Sequence, residues 1–312
     1  MTSARTDVAT GVRAADRTRS RAEATRTGTG RGGRWFRLVG WRHLVGVFAV
    51  LFSLFPIVFL VSAALNPLGT LSSTSLVPKG ASLDNAIRLV RDTPFGHWYL
   101  NSILIALFSA GAAVFLSLLA AYAFSRMRFT GRRIGLLSLL LIQMFPQYLA
   151  VVTIFLMFTK ITDYWPAIGF NTPWGLLLLY LGGALGVNTW LMKGFLDTVP
   201  RELDESATMD GASHVQVFFR IMLPLVAPIL AVTSLLSFIG TINEFLMANV
   251  FLTDPNSKTL AVGLWGLVAG ERDANFGMFC VGTLLTAVPT VLVFRFLQRY
   301  IVSGLTAGAV KG

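Results

Sequence analysis

The sequence predicts an all-α polytopic membrane protein with six transmembrane helices. Two observations lead there. The 312 residues are 54% hydrophobic and only 13% charged, whereas soluble domains carry about 25% charge. Six apolar runs also reach the ~20 residues that a helix needs to cross a bilayer core. These runs are 44–65, 99–124, 134–158, 172–195, 225–252 and 276–301.

Residues 1–40 come first. The first 42 residues hold ten arginines against Asp7, Asp16 and Glu23, with Thr, Ala and Gly between them. No apolar period runs through them, so a disordered cytoplasmic tail is expected, with an Arg-rich transit peptide as the alternative. The net charge of +11 comes mostly from this tail. A charge confined there is no nucleic-acid footprint, and no nucleic-acid partner is expected.

Orientation follows from lysine and arginine in the connections. With the tail inside, 20 basic residues fall on the cytoplasmic side and six outside. Both termini are therefore expected in the cytoplasm. Arg126, Arg128, Arg132 and Arg133 pin the loop between spans two and three. Pro56, Pro146 and Pro289 lie inside apolar runs, where neighbouring side chains can satisfy the freed carbonyls. Of the outer loops, 66–98 is longest, and Ser82-Leu83-Asp84-Asn85 can start a short helix there. The loop 253–275 carries the turn signal Asp254-Pro255-Asn256-Ser257.

The residues exclude several chemistries. Cys280 is the sole cysteine, so no intrachain disulfide is possible. His43, His97 and His214 have no metal-ligand spacing. Neither a phosphate loop nor a serine elbow nor HExxH is present. The expectation is a non-catalytic chain with no metal and no cofactor of its own.

Between spans four and five lies a charged island at 197–224. It holds Asp197, Glu202, Asp204, Glu205 and Asp210 against Arg201 and Arg220. Pro200 suits a helix start, and the acidic groups behind it favour the positive end of that helix. Leu203 and Ala207 share one face; Glu202, Glu205 and Met209 share another. Gly211 can take the left-handed conformation that stops the helix. Ser213 and Gln216 have capping-box spacing for a second helix. Val215, Phe218, Phe219 and Met222 give it an apolar stripe, with Pro224 expected to close it and open span five. An amphipathic connector on the membrane surface is the competing reading, but anionic headgroups would repel so acidic a segment. The island reads as a two-helix knob that fits a groove on a soluble partner.

Glu205-Ser206-Ala207, then Gly211, then Ile221, Leu223 and Pro224 follow the pattern E-[AS]-A-x3-G-x9-I-x-L-P. This resembles the cytoplasmic EAA signature of ABC importer permeases, with Ser206 in place of the usual first Ala. Asn101-Ser102, the stretch from Thr189 to Phe195, 256–263 and the C-terminus from Gly304 resemble the carbohydrate-uptake (MalFG-like) branch, maltose-system permeases above all. The likeness covers roughly residues 40–312; the Arg-rich extension departs from it.

The resemblance implies a type I importer permease in the plasma membrane that moves a maltose- or maltodextrin-like oligosaccharide, with trehalose or another disaccharide as the alternative. It implies three partners. These are a second, MalF-like permease, a MalK-like ATPase dimer that binds the ATP and Mg, and an extracytoplasmic sugar-binding protein. Glu202, Glu205, Ala207, Asp210, Gly211, Phe218, Leu223 and Pro224 would form the ATPase-coupling element. Gly304, Thr306, Gly308, Lys311 and Gly312, in the cytoplasmic tail 303–312, would reach the ATPase. Asp254, Asn256, Ser257 and Lys258 would meet the binding protein.

Gln143, Asn188 and Glu244 are the translocation-path candidates, because polar groups inside spans are costly and often functional. Gln143 and Asn188 are equally readable as helix–helix ties. Glu244 lines a water-filled path or partner interface, or lies near the outer surface. Lys193 can snorkel to the interface. An ion-coupled secondary transporter is the reading from another class. It needs more intramembrane ionisable groups than Glu244 alone and an inverted repeat, which the sequence lacks.

Overall fold

The computed structural model describes residues 40–77, 80–270 and 273–309. The tail expected over 1–40 lies outside them save its last residue, as do Lys79, Arg272, Lys311 and Gly312. The chain divides into two compact units, Met1–Phe59 and Leu60–Gly312. In the first, the described part is helical, the beginning of α1 (Trp41–Leu65), and its Leu, Val and Phe side chains from Leu44 to Val58 are exposed. In the second, the end of α1 packs Ala63 and Ala64 against Cys280.

The rest of the second unit is also helical. Its elements are α2 (Asp84–Asp92), α3 (Phe95–Arg126), α4 (Arg132–Met144), α5 (Val151–Tyr164), α6 (Pro173–Thr198), α7 (Glu202–Met209), α8 (His214–Leu225), α9 (Ala227–Ile242), α10 (Leu246–Phe251), α11 (Leu260–Ala269) and α12 (Phe276–Ala309). No strand occurs among the described residues. Three helices are long and apolar enough to cross a membrane, or up to six if each bent pair is one span.

The core forms around α3, which packs on α6 and α9; α9 in turn packs on α12. Its sequence explains why. Ser102, Ala106, Ser109, Ala110, Ala113, Ser117, Ala121 and Ser125 recur at helical spacing and are all buried. Small side chains let helix backbones approach closely where water supplies no driving force. At ~1.5 Å per residue, the 32 residues of α3 reach about 48 Å, enough to join the two faces of a bilayer.

Prolines break the run expected at 134–158. Pro146 lies between α4 and the next helix, and the two halves meet at 75°. The run 172–195 is helical but bends by 47° around residue 184. Pro289 stays inside α12, and the Tyr99 hydroxyl donates to the Leu285 carbonyl that Pro289 cannot reach, at 3.4 Å.

Two expectations need correction. Pro224 does not close its helix: α8 runs through it to Leu225, with a π turn at Phe218–Met222. The 75° bend comes at Val226, where Pro228 occupies the first turn of α9. The run 225–252 is not one helix, because it opens at 243–245 before α10. The loop 253–275 has its expected turn at 254–257 and further structure after it. It carries α11, ten apolar residues that are too few to register as a span. The C-terminal residues Gly304, Thr306 and Gly308 continue the helical backbone of α12 to Ala309, although their composition reads as flexible.

Candidate functional site: the α7–α8 knob and the outer loop

The island folds as two short helices. Asp204 and Glu205 amides close back on Arg201, so α7 starts two residues after Pro200. Gly211 stops it with φ +83°, a left-handed turn that suits glycine. The Ser213 side chain accepts from the Gln216 amide at 3.3 Å, and the Ser213 amide donates to Gln216 Oε1 at 2.8 Å. The capping box is therefore complete.

The expected apolar stripe on α8 splits between two faces. Phe218 and Met222 are buried with Val217, against Val114, Leu118, Tyr122, Met192 and Leu196. The Phe218 ring meets Tyr122 edge-on with centroids 5.1 Å apart. Val215 and Phe219 remain 65% and 49% exposed. The reason is periodicity: a stripe at i, i+3, i+4 and i+7 spans more of the helix than a two-helix floor can cover. Ala207 and Leu223 are half-buried on the inner face, while Gly211 and Pro224 are exposed.

The five acidic residues also split. Asp197 is used internally: it accepts from Ser125 Oγ at 2.6 Å and from Lys193 Nζ at 2.5 Å. Lys193 pairs one turn along α6, as the i, i+4 spacing allows. Asp204 turns inward to Arg126, with Nε and Oδ2 2.6 Å apart and side-chain exposures of 7% and 19%. The contact is an ion pair without an aligned hydrogen bond, and Asp204 Oδ1 has no donor among the described residues. Burial pushes the Asp204 carboxyl above its usual range, and the Arg126 guanidinium only partly offsets that push. Glu202, Glu205 and Asp210 stay exposed, beside Met209 at 88%. These carboxylates are the acidic rim of the knob, exposed on the same two-helix element as the apolar tips Met209, Val215 and Phe219.

Arg126 and Asp204 escaped the sequence reading. Arg126 read as a topology signal and Asp204 as one more rim charge. A basic residue at the end of a span facing an acid three residues into the next loop helix was the available hint.

On the other side of the bundle, Asp254 Oδ2 accepts from the Asn256 and Ser257 amides, each at 3.1 Å. The turn is held from span two. Trp98 Nε1 donates to Pro255 O at 2.8 Å, Asn101 Nδ2 donates to Asn256 O at 2.8 Å and Lys258 O at 3.2 Å, and Ser102 Oγ accepts from the Leu260 amide at 2.7 Å. Gly263 of α11 sits on the Trp98 ring so closely that an added Cβ would lie 2.2 Å from it. Asn256 is exposed, and Asp254, Ser257 and Lys258 are half-exposed.

Inside the bundle, Gln143 Nε2 donates to Gly183 O at 3.0 Å, and Asn188 Nδ2 donates to Ser237 Oγ at 3.1 Å. Both bonds join neighbouring helices. Glu244 lies in the break after α9. Its carboxylate accepts from the Met247 and Ala248 amides and from the Tyr180 hydroxyl. It lines a cavity of about 160 Å³ with Tyr148, Tyr180 and Thr241. A second cavity, about 360 Å³, is lined by Asn243 from the same break and by Thr283, Thr286 and Thr290 of α12. Those threonines read as ordinary span residues in the sequence.

The sequence pattern of the family described as "Binding-protein-dependent transport system inner membrane component" matches residues 113–306. The galactooligosaccharides transport system permease protein GanQ of Bacillus subtilis is 39% identical, over 89% of this chain and 97% of its own. The maltose/maltodextrin transport system permease protein MalG of Escherichia coli K12 is 38% identical, over 86% and 95%. A crystal structure of a bacterial ABC transporter involved in the import of the acidic polysaccharide alginate has a chain with TM-score 0.71 at 23% identity, over 87% of this chain and 98% of that one. That likeness shows the fold. The match from 113 to 306 takes in the core from the second half of α3 onward and the capped, Gly-stopped knob together, and the chain belongs to the family of binding-protein-dependent transport system inner membrane components.

Proposed function

We propose that this chain is a permease subunit of an ATP-driven importer for a neutral oligosaccharide of the maltodextrin type. The α7–α8 knob is its attachment to a separate ATPase. One observation carries this reading: the knob's inner face is fully committed to α3 and α6, while Glu202, Glu205, Asp210, Met209, Val215 and Phe219 are left outward. Exposed apolar tips accompanied by charge on one small element suit a protein-binding surface. The chain itself performs no catalysis; ATP and Mg belong to the ATPase dimer, and the helix end at Gly304, Thr306 and Gly308 extends toward it.

In this reading α4 with α5, the two halves of α6, and α9 each make one span beside α1, α3 and α12, giving six with both ends cytoplasmic. The knob faces the ATPase on one side of the bundle, and the Asp254–Lys258 turn faces the sugar-binding protein on the other. A second, homologous permease completes the path. Gln143, Asn188, Glu244 and Asn243 concentrate the polarity along it, beside the threonines of α12, whose hydroxyls keep acceptor lone pairs free. Alternating access then follows from rigid-body motion of helix groups.

The relatives' names divide between maltodextrin and galactooligosaccharide transport, which favours a galactooligosaccharide as the second reading. The test is ATP hydrolysis by the reconstituted complex with its binding protein across a sugar panel. Stimulation at least fivefold by a maltodextrin supports the first reading, and by a galactooligosaccharide the second. Stimulation by no sugar, or uptake that persists without ATP on an ion gradient, would refute both.

A further inference from the structure

We propose that Arg126 and Asp204 form an internal clamp that makes α7 move as one piece with the end of α3, so that the ATPase stroke reaches the bundle. This rests on the docking reading above and concerns what happens behind the docked surface.

The covalent connection to α7 is weak. Only Val199, Pro200 and Arg201 join it to α6, and no side chain caps its first turn. Such a joint swivels unless something spans it. The Arg126 guanidinium does so with two contacts: Nη2 donates to the Val199 carbonyl at 2.8 Å, and Nε meets Asp204 at 2.6 Å. One side chain at the end of α3 therefore holds both the start of the linker and the first turn of α7. The same end of α3 is tied down further. The Ser125 carbonyl accepts from Arg201 and Arg132, at 3.4 and 3.5 Å, and the Ser125 hydroxyl donates to Asp197 of α6.

Neighbouring residues divide the work. Glu205 points out to the docking side, and Asp204 points in to Arg126. Apolar packing under Ala207 and Phe218 resists separation, but it tolerates sliding because it has no direction. The shielded attraction between Arg126 and Asp204 weakens as the two groups slide apart, and the Arg126 hydrogen bond to the Val199 carbonyl adds the direction that apolar packing lacks. Asp204 and Arg126 are positioning residues: neither meets the ATPase surface nor the sugar, and each acts through α7.

The test uses the whole complex in proteoliposomes, with sugar moved and ATP hydrolysed measured together. Asp204→Asn is expected to retain its ATPase subunits and to hydrolyse ATP, while sugar moved per ATP falls at least fivefold. The exchange of partners, Arg126→Asp with Asp204→Arg, restores the ion pair but not the Val199 hydrogen bond, and is expected to raise the ratio at least twofold above that of Asp204→Asn. A merely structural contact would lower the amount of complex and leave the ratio unchanged. An unchanged ratio in Asp204→Asn overturns the clamp. So does loss of the ATPase from Asp204→Asn, because that would put Asp204 on the docking surface. Should Asp204→Asn fail to insert, Arg126→Lys takes its place: it keeps the charge, gives up the paired contact, and is expected to show the same fall. Glu205→Lys separates the two levels. If it still holds the ATPase, the docking reading fails; if it loses the ATPase while Asp204→Asn keeps a normal ratio, only the clamp fails.

Discussion

Phe218→Ala isolates the floor of the knob from its exposed face. The ring is 4% exposed and lies edge-on to Tyr122, 5.1 Å between centroids, with Phe219 a further 4.9 Å neighbour. Truncating a buried Phe to Ala costs about 3–5 kcal/mol, most of it lost burial and residual cavity. The edge-on pair accounts for about 0.5–1.5 kcal/mol of that. The loss falls on one local packing event, the seating of α7 and α8 on α3 and α6, because the residues under the knob, Val114, Leu118, Tyr122, Met192 and Leu196, sit on long helices held elsewhere. At about 1.4 kcal/mol per decade, the amides of 202–222 should exchange with deuterium about 10²–10³-fold faster. The amides of α3 and α9 should keep their wild-type rates. Hydrogen exchange of the chain in lipid nanodiscs reads both at once. Val215→Ala is the control: the side chain is 65% exposed, and the change should fall within ~0.5 kcal/mol. Exchange over 202–222 within threefold of wild type in Phe218→Ala would refute the argument that this ring seats the knob.

Other predictions follow from the same geometry. Gly211→Ala meets no atom within 4 Å, so its effect is pure backbone strain at φ +83°; a left-handed non-glycine residue costs about 1–2 kcal/mol, read as roughly tenfold faster exchange in α7. Unchanged exchange there would contradict the assigned turn. Asn101→Ala removes both side-chain bonds to the 256–258 backbone, about 1–3 kcal/mol in all. It should raise the binding-protein concentration needed for half-maximal ATPase stimulation about tenfold without changing ATPase retention. Asp204 titrates with a raised pKa, so its folded form holds the proton more tightly than its unfolded form. Its contribution to stability is fully present below the unfolded pKa of about 3.8 and is lost as pH rises through the raised value. Thermal melts should therefore show the wild type losing stability relative to Asp204→Asn as pH rises from 4 to 7. A relative gain would mean that Arg126 outweighs the burial.

The parts of the fold legible in the sequence are those governed by local chemistry. Gly211, Ser213 and Gln216 specify the corner of the knob by backbone freedom and side-chain reach, and the structure has both the left-handed turn and the capping box. Helix α2 follows the Ser82–Asn85 signal in the same way. What the sequence did not disclose depends on neighbours. Pro224 and Pro228 look alike in the chain, and only the π turn before the first decides that the bend falls at Val226. Glu244 reads as an isolated intramembrane charge, yet it owes its place to a break whose amides it caps. The sharpest case is the island itself. Five acidic residues looked like one surface, but Arg126 and Lys193 each claim one of them, so the outward rim is smaller and more specific than the charge count suggests.

The most direct test is whether Glu205→Lys separates the chain from its ATPase. Glu205 is exposed among the acidic residues of α7 and makes no ion pair among the described residues, so the substitution reverses a charge without disturbing the floor of the knob. The inserted variant, purified with its partner permease, should retain less than a tenth of the wild-type ATPase and show no sugar-stimulated hydrolysis. Normal ATPase retention and normal stimulation in Glu205→Lys would contradict the assignment of the α7–α8 knob as the coupling element.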